Sequence, residues 1–222
     1  MKLPKPEVLC TNRYDFAHDV LKKTVLKGSS LYDIGAGLAP MKEKAEALGL
    51  RWSGFDLTPQ RADIAVWNLD HPFPNENSMC DAIIMLDVVE HLKNLGSAMH
   101  NIRKVLRNKG ILIISTPNPR WSKSRLFALK TGNLACFTEK DLDLNHHIFP
   151  VWPHVMCKIL HDEGFVMTNY YLLEGPTAYW PKVSFSFSYI LKILANLGTR
   201  LIEKLDPSAC GMSYGIVAQL SK

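Results

Sequence analysis

Leu31-Tyr32-Asp33-Ile34-Gly35-Ala36-Gly37-Leu38-Ala39-Pro40 joins an apolar strand-like start to an acid and two glycines, and its reading decides the fold. Gly35 and Gly37 lack a Cβ, so the backbone can turn sharply there and approach a bound molecule closely. Pro40 suits the first turn of a helix, where a missing N–H costs nothing. Met41 to Leu50 is rich in Lys, Glu, Ala and Leu, which favour helix, and Gly49 is placed to cap it. Arg51 to Asp56 then reads as a second strand. It ends in an acid about 20 residues beyond the glycines, the spacing at which an open α/β sheet holds ribose hydroxyls.

Farther out, Ala62 to Trp67 predicts a third strand, and Asn68 to Pro74 predicts a loop. Asp81 to Leu86 is the continuous apolar run of a strand covered on both faces. Asp87, Glu90 and His91 fall at i, i+3 and i+4, so a helix starting at Asp87 would carry all three on one face. Lys109-Gly110 precedes a buried-type strand at Ile111 to Ile114, which Ser115 to Pro119 stops. Phe165 to Leu173 and Tyr214 to Leu220 read as the last two strands.

Taken together, Asp33-x-Gly35-x-Gly37, Asp56, the Asn68 loop, Asp81 to Leu92 and Gly110 to Pro119 resemble the class I S-adenosylmethionine-dependent methyltransferases. The resemblance is to the broad group that includes ubiquinone-type O-methyltransferases. The motifs occur in the family order between residues 30 and 120, with Gly164-Phe165 as a later match. Ala39 stands where many members have a third glycine. The resemblance implies a Rossmann-like α/β fold, a mainly parallel seven-stranded sheet flanked by helices, with the last strand antiparallel. It implies S-adenosyl-L-methionine as cofactor. Asp33, Gly35 and Gly37 would receive its methionine part, Asp56 its ribose, and Leu57, Asn68 and Leu69 would flank adenine. Leu86 and Asp87 would close over the methionine end. Two alternatives share the binding motifs: a non-catalytic protein that binds the same cofactor, and a nicotinamide-dependent oxidoreductase. The acid before the glycines and the Asp81 to Leu92 segment stand against the oxidoreductase.

Methyl transfer from a sulfonium needs positioning above all, and a base only when the acceptor must lose a proton. His91, His146 and His147 are the candidate bases, and their availability favours oxygen over nitrogen as acceptor. Asp87, Glu90 and His91, joined by a later His, also offer carboxylates and imidazoles to a divalent ion. Related RNA 2′-O-methyltransferases and certain quinone O-methyltransferases have such a cluster, with Glu in the first place. Because Asp87 is shorter and is expected to face the cofactor, the cluster is read as a helix-start acid with a supporting histidine. No metal is assigned.

The 222 residues, 47% hydrophobic, suffice for one substantial core, read as a single domain. Within it, 1–27 form an N-terminal cap, 28–120 the cofactor core and 121–222 the acceptor-side elaborations and last strands. Five scattered cysteines indicate neither a disulfide framework nor a zinc site, and no long apolar run follows the N-terminus. The expected location is cytoplasmic. A net charge of +5 spread along the chain argues against nucleic acid. The expected acceptor is a small molecule or a glycan or lipid precursor. Tyr179, Trp180, Phe185, Phe187 and Tyr189 lead into Ile190 to Leu205, where Ile190, Leu194, Leu197, Leu201 and Leu205 recur at helical spacing among Lys192, Arg200 and Lys204. Residues 179–205 are therefore read either as a helix packed on the sheet or a partner, or as a peripheral membrane contact.

Overall fold

In the computed structural model, residues 3–75, 78–176 and 187–221 are described. The first half alternates strand and helix: β1 (Glu7–Val8), α1 (Arg13–Thr24), β2 (Ser30–Ile34), α2 (Lys42–Ala47), β3 (Arg51–Asp56), β4 (Ile64–Val66) and β5 (Cys80–Leu86). The second half is richer in helix: α3 (Leu95–Val105), β6 (Leu106–Pro117), α4 (Ser122–Thr131), α5 (Glu139–Asn145), α6 (Pro153–Asp162), β7 (Phe165–Leu173), α7 (Phe187–Leu205) and β8 (Ser213–Leu220). Tyr179, Trp180 and Phe185 lie outside the described residues.

The apolar runs of β5 and β6 occupy the middle of the sheet, whose order is β1-β7-β8-β6-β5-β2-β3-β4. All pairings are parallel except those of β8, which runs antiparallel to both β6 and β7. The architecture is thus the expected Rossmann-like one, with eight strands rather than seven. The extra strand is β1, in which Glu7 and Val8 pair with Tyr171 and Leu172 at the sheet edge.

Each face of the sheet carries its own core. Phe16, Ala17, Val20 and Leu21 of α1 pack with Leu31, Met41, Ile84, Ile113 and Val217 on one side. Apolar residues of α3 and α6, including Met99, Ile102, Met156 and Leu160, pack against Ile83, Met85, Leu112 and Ile216 on the other. Phe16 lies so close over Gly215 of β8 that a Cβ there would sit 2.6 Å from its ring. Asn12 starts α1 by accepting from the backbone N–H groups of Tyr14 and Asp15 at 2.9 and 3.0 Å.

Strand order reverses beside β2: β3 and β4 extend the sheet one way, and β5 returns on the other side. In an open α/β sheet, the crevice at the carboxyl ends of the strands flanking such a reversal is the ligand site.

Candidate functional site

The glycine loop leaves β2 in the predicted place. Gly35 and Gly37 have φ of +71° and +53°, conformations that disfavour any residue with a Cβ. Gly35 is also sterically obligatory, because a Cβ would lie 2.5 Å from Val88 Cγ2, whereas a Cβ on Gly37 would meet nothing within 4 Å. The open side of the loop therefore lies at Gly37. Ala39 shares the left-handed geometry at φ +59°, which explains why glycine serves in that place elsewhere in the family. Pro40 precedes α2 rather than joining its first turn, and Gly49, at φ +74°, follows its end as predicted.

Two acids frame this loop. Asp33, buried at the end of β2, accepts from Trp52 Nε1 at 3.0 Å. Burial, reinforced by the nearby charge of Asp56 and opposed by the Trp52 bond, raises its pKa to about 7. Asp56, at the end of β3, accepts from Gly37 N and Thr58 N, both at 3.0 Å. Each carboxylate oxygen accepts one of these bonds and has capacity for another. Leu57 beside Asp56 is 60% exposed. Asn68 Oδ1 caps its own loop through Asp70 N, so its amide nitrogen is the group that can face a ligand. Leu69 differs: its side chain belongs to the core with Trp67 and Phe73, and its carbonyl accepts from Asn101 Nδ2 at 2.9 Å.

The segment after β5 departs from expectation. Asp87, Glu90 and His91 do not share a helical face, because only a single 3-10 turn forms, at Val89–His91. Asp87 adopts φ +55° ahead of that turn, and α3 begins later, where Asn94 accepts from Ser97 N. Asp87 therefore turns toward β6 and the start of α1: Oδ1 accepts from Ser115 Oγ at 2.7 Å, and Oδ2 pairs with Arg13 Nη1 at 2.7 Å. Arg13 escaped the sequence reading, although it carried a signal. A cation in the first position of a helix faces the positive end of the helix dipole and needs an acid from elsewhere.

Beyond Asp87, three side chains converge. Glu90 is fully buried; its Oε2 accepts from Thr116 Oγ1 at 2.8 Å, while its Oε1 is buried without a partner. Burial and the charge of Asp87 raise its pKa to about 8. The rings of His91 and His147 lie 5.0 Å apart, and one donor atom from each of Glu90, His91 and His147 lies within 4.8 Å of the other two. His91 Nδ1 faces the carbonyl of His146 at 3.1 Å, and His147 Nδ1 faces that of Cys136 at 2.6 Å. A carbonyl only accepts, so each Nδ1 carries the hydrogen, and in the neutral ring Nε2 is then the nitrogen with a lone pair. Burial lowers the pKa of His91, which favours its neutral form. The loop is held over this centre by Ile148 N, which donates to the Glu90 carbonyl at 2.9 Å. His146 itself is exposed at φ +57°, so it contributes its carbonyl rather than its ring.

A family model described as a methyltransferase domain matches residues 10–170. The ubiquinone biosynthesis O-methyltransferase of Azorhizobium caulinodans is 28% identical over 116 residues, which is 46% of this chain and 46% of that relative. The match thus spans less than half the length of that curated protein. Among solved structures, an S-adenosylmethionine-dependent methyltransferase from Archaeoglobus fulgidus is similar with a TM-score of 0.63 at 19% identity, covering 94% of this chain and 95% of the other. Phosphoethanolamine N-methyltransferase 2 of Haemonchus contortus, solved with S-adenosyl-L-methionine, is similar with a TM-score of 0.56 at 13% identity, covering 94% and 52%. These structures share the fold, and the family match covers the glycine loop, both framing acids and the Glu90-His91-His147 centre. The chain therefore belongs to the class I S-adenosylmethionine-dependent methyltransferases.

Proposed function

We propose that this chain methylates an oxygen atom of a small-molecule, glycan or lipid-precursor acceptor. The observation that carries this reading is the pair of imidazoles, His91 and His147, each with Nδ1 committed to a carbonyl and Nε2 left as a proton acceptor. The A. caulinodans relative, named for O-methylation in ubiquinone biosynthesis, supports the same atom type. When bound, S-adenosyl-L-methionine supplies a methyl group already activated on a sulfonium. Asp56 holds the ribose hydroxyls, and the open side of Gly37 admits the cofactor against the backbone. Asp33, Asp87 and the glycine loop position the methionine end, and His147 Nε2 takes the acceptor proton. Because the donor is already activated, alignment and exclusion of water provide most of the acceleration.

The five cysteines form no disulfide and three of them are buried, which suits a cytoplasmic setting. Among the described residues, no helix is long and apolar enough to cross a membrane.

A second reading rests on Glu90 Oε1, a buried carboxylate oxygen without a partner beside two imidazole lone pairs. That donor set fits a divalent cation of the zinc or manganese type, held by Glu90, His91 and His147. Such an ion would favour the ionised form of an acceptor hydroxyl. One experiment addresses both readings. Purified protein is titrated with S-adenosylhomocysteine by calorimetry, its metal content is measured, and turnover is assayed on matched phenol and amine acceptors with and without chelator. Methylation of phenols alone supports the oxygen reading, and chelator-sensitive turnover adds the metal. Methylation confined to amines overturns the oxygen reading.

A further inference from the structure

α7 is folded inside out. Its inward face is polar: Asn196 and Thr199 are 8% and 1% exposed, and Glu203 Oε1 accepts from Ser122 Oγ of α4 at 2.7 Å. Its outward face is apolar, with Leu194, Leu197, Leu201 and Leu205 at 59, 48, 58 and 77% exposure. Those four positions follow i, i+3, i+7 and i+11, a single stripe along the helix. A helix that faces only water shows the opposite arrangement, and a contiguous exposed leucine stripe marks a surface built to be covered.

The charges around the stripe are of one sign. Arg200 and Lys204 of α7 flank it, and Lys192 of α7 and Lys130 of α4 are exposed along the α4–α7 seam. Gly198 of α7 faces Leu126 of α4, where a Cβ on the glycine would sit 3.6 Å from the leucine, and an open groove of about 320 Å³ follows this seam, lined in part by Phe127, Lys123 and Lys130. Glu203, the only acid of the two helices, is turned inward to Ser122, and Asp206 just beyond α7 is paired with Arg125. A second copy meeting this face about a twofold axis would bring cations against cations, which disfavours self-association. A surface of anionic headgroups over an apolar layer matches both the lysines and the leucines.

The topology places this face beside the site. α4 follows the carboxyl end of β6, and α7 leads into the start of β8, which pairs Ser213 with Pro117 at that same sheet edge. We propose that the α4–α7 face docks on an anionic lipid surface, with the leucine stripe entering the interface and the lysines meeting the phosphates.

The test is flotation of the full chain with vesicles of equimolar phosphatidylcholine and phosphatidylglycerol, beside vesicles of phosphatidylcholine alone. The expected result is binding to the mixed vesicles only, weakened by added salt. Lys192→Glu/Lys204→Glu and Leu197→Ser/Leu201→Ser should each bind at least roughly tenfold more weakly. Circular dichroism and S-adenosylhomocysteine affinity should stay at wild-type values, because neither pair touches the crevice. Absence of wild-type flotation, or equal flotation of wild type and variants, overturns the proposal. So does a concentration-dependent dimer, seen by sedimentation, that Leu197→Ser/Leu201→Ser makes monomeric. None of these readouts depends on methyl transfer.

Discussion

Arg13 Nη1 stands 2.7 Å from Asp87 Oδ2, so the first residue of α1 is tied to the residue that follows β5. The pair fastens the start of α1 to the turn that follows β5. It also neutralises a carboxylate whose charge reaches Glu90 and Glu174, both held above the ordinary carboxylate range chiefly by burial. Arg13→Ala should cost about 1–2 kcal/mol in urea unfolding, since it leaves Asp87 without its cation. The loss should be larger at pH 9 than at pH 5, because Glu90, whose pKa is raised to about 8, carries its charge beside Asp87 only at the higher pH. Equal losses at both pH values would dissociate Arg13 from this cluster.

Asp33 links stability and binding with opposite signs. Its folded pKa of about 7 exceeds the ordinary value of 3.8, so the folded state binds the extra proton between those limits. Stability contributed by this group is therefore present at low pH and lost as pH rises toward 7, by on the order of 4 kcal/mol. Asp33→Asn keeps an acceptor for Trp52 Nε1 and removes the titration. The variant should unfold at higher urea than wild type at pH 8, with the difference fading at pH 4, while its affinity for S-adenosylmethionine falls. A variant no more stable at pH 8 would refute the buried-charge argument.

Asp56→Ala removes the acceptor of Gly37 N and Thr58 N together with the proposed ribose contact. Calorimetric affinity for S-adenosylhomocysteine should drop by roughly tenfold or more, with Asp56→Asn between the two. Unchanged affinity in the alanine variant would place the ribose elsewhere.

Gly35→Ala meets two obstacles, a left-handed φ of +71° and a contact of 2.5 Å with Val88 Cγ2. The backbone part alone should cost about 1–2 kcal/mol. Adding Val88→Ala should recover the contact but not the backbone cost. Full recovery in the double variant, measured by thermal unfolding, would show that the left-handed geometry is dispensable.

His147→Ala should leave cofactor affinity at its wild-type value and lower turnover on an oxygen acceptor by about 10²–10⁴, the usual worth of a general base. His146→Ala should leave turnover intact, because that residue supplies a backbone carbonyl to His91. A reversal of this order would exchange the roles of the two histidines.

The glycine loop and its acids were legible because their chemistry is local: positive φ selects glycine, and an acid at a strand end needs no distant partner to be recognised. The β5 and β6 strands were legible from uninterrupted apolar runs. The turn after β5 was not. Helical spacing of Asp87, Glu90 and His91 is arithmetic that a non-helical chain also satisfies, and what decided the matter was the left-handed backbone at Asp87 and the later cap at Asn94. The union of Glu90 with His147 joins residues 57 positions apart, and only the docking of the 146–148 loop on Glu90 creates it. The leucines of α7 show a different limit. Their spacing fixes a stripe but carries no sign, so it reads identically whether it faces core or solvent. Strand β1 has two residues and hence no pattern to read.

The position of β8 has a consequence for how the chain is assembled. Residues 213–220 enter between β6 and β7, so two strands made much earlier acquire their mutual neighbour only when this late segment arrives. Until then, each holds out a bare row of N–H and C=O groups along apolar residues such as Ile113 and Tyr170. During synthesis on a ribosome, that open seam is a place where a second nascent chain can pair in error. A chain interrupted before residue 213 would keep the cofactor loop and both framing acids yet lack the strand that joins the two halves of the sheet. Such a fragment should be a client of chaperones rather than a smaller working enzyme.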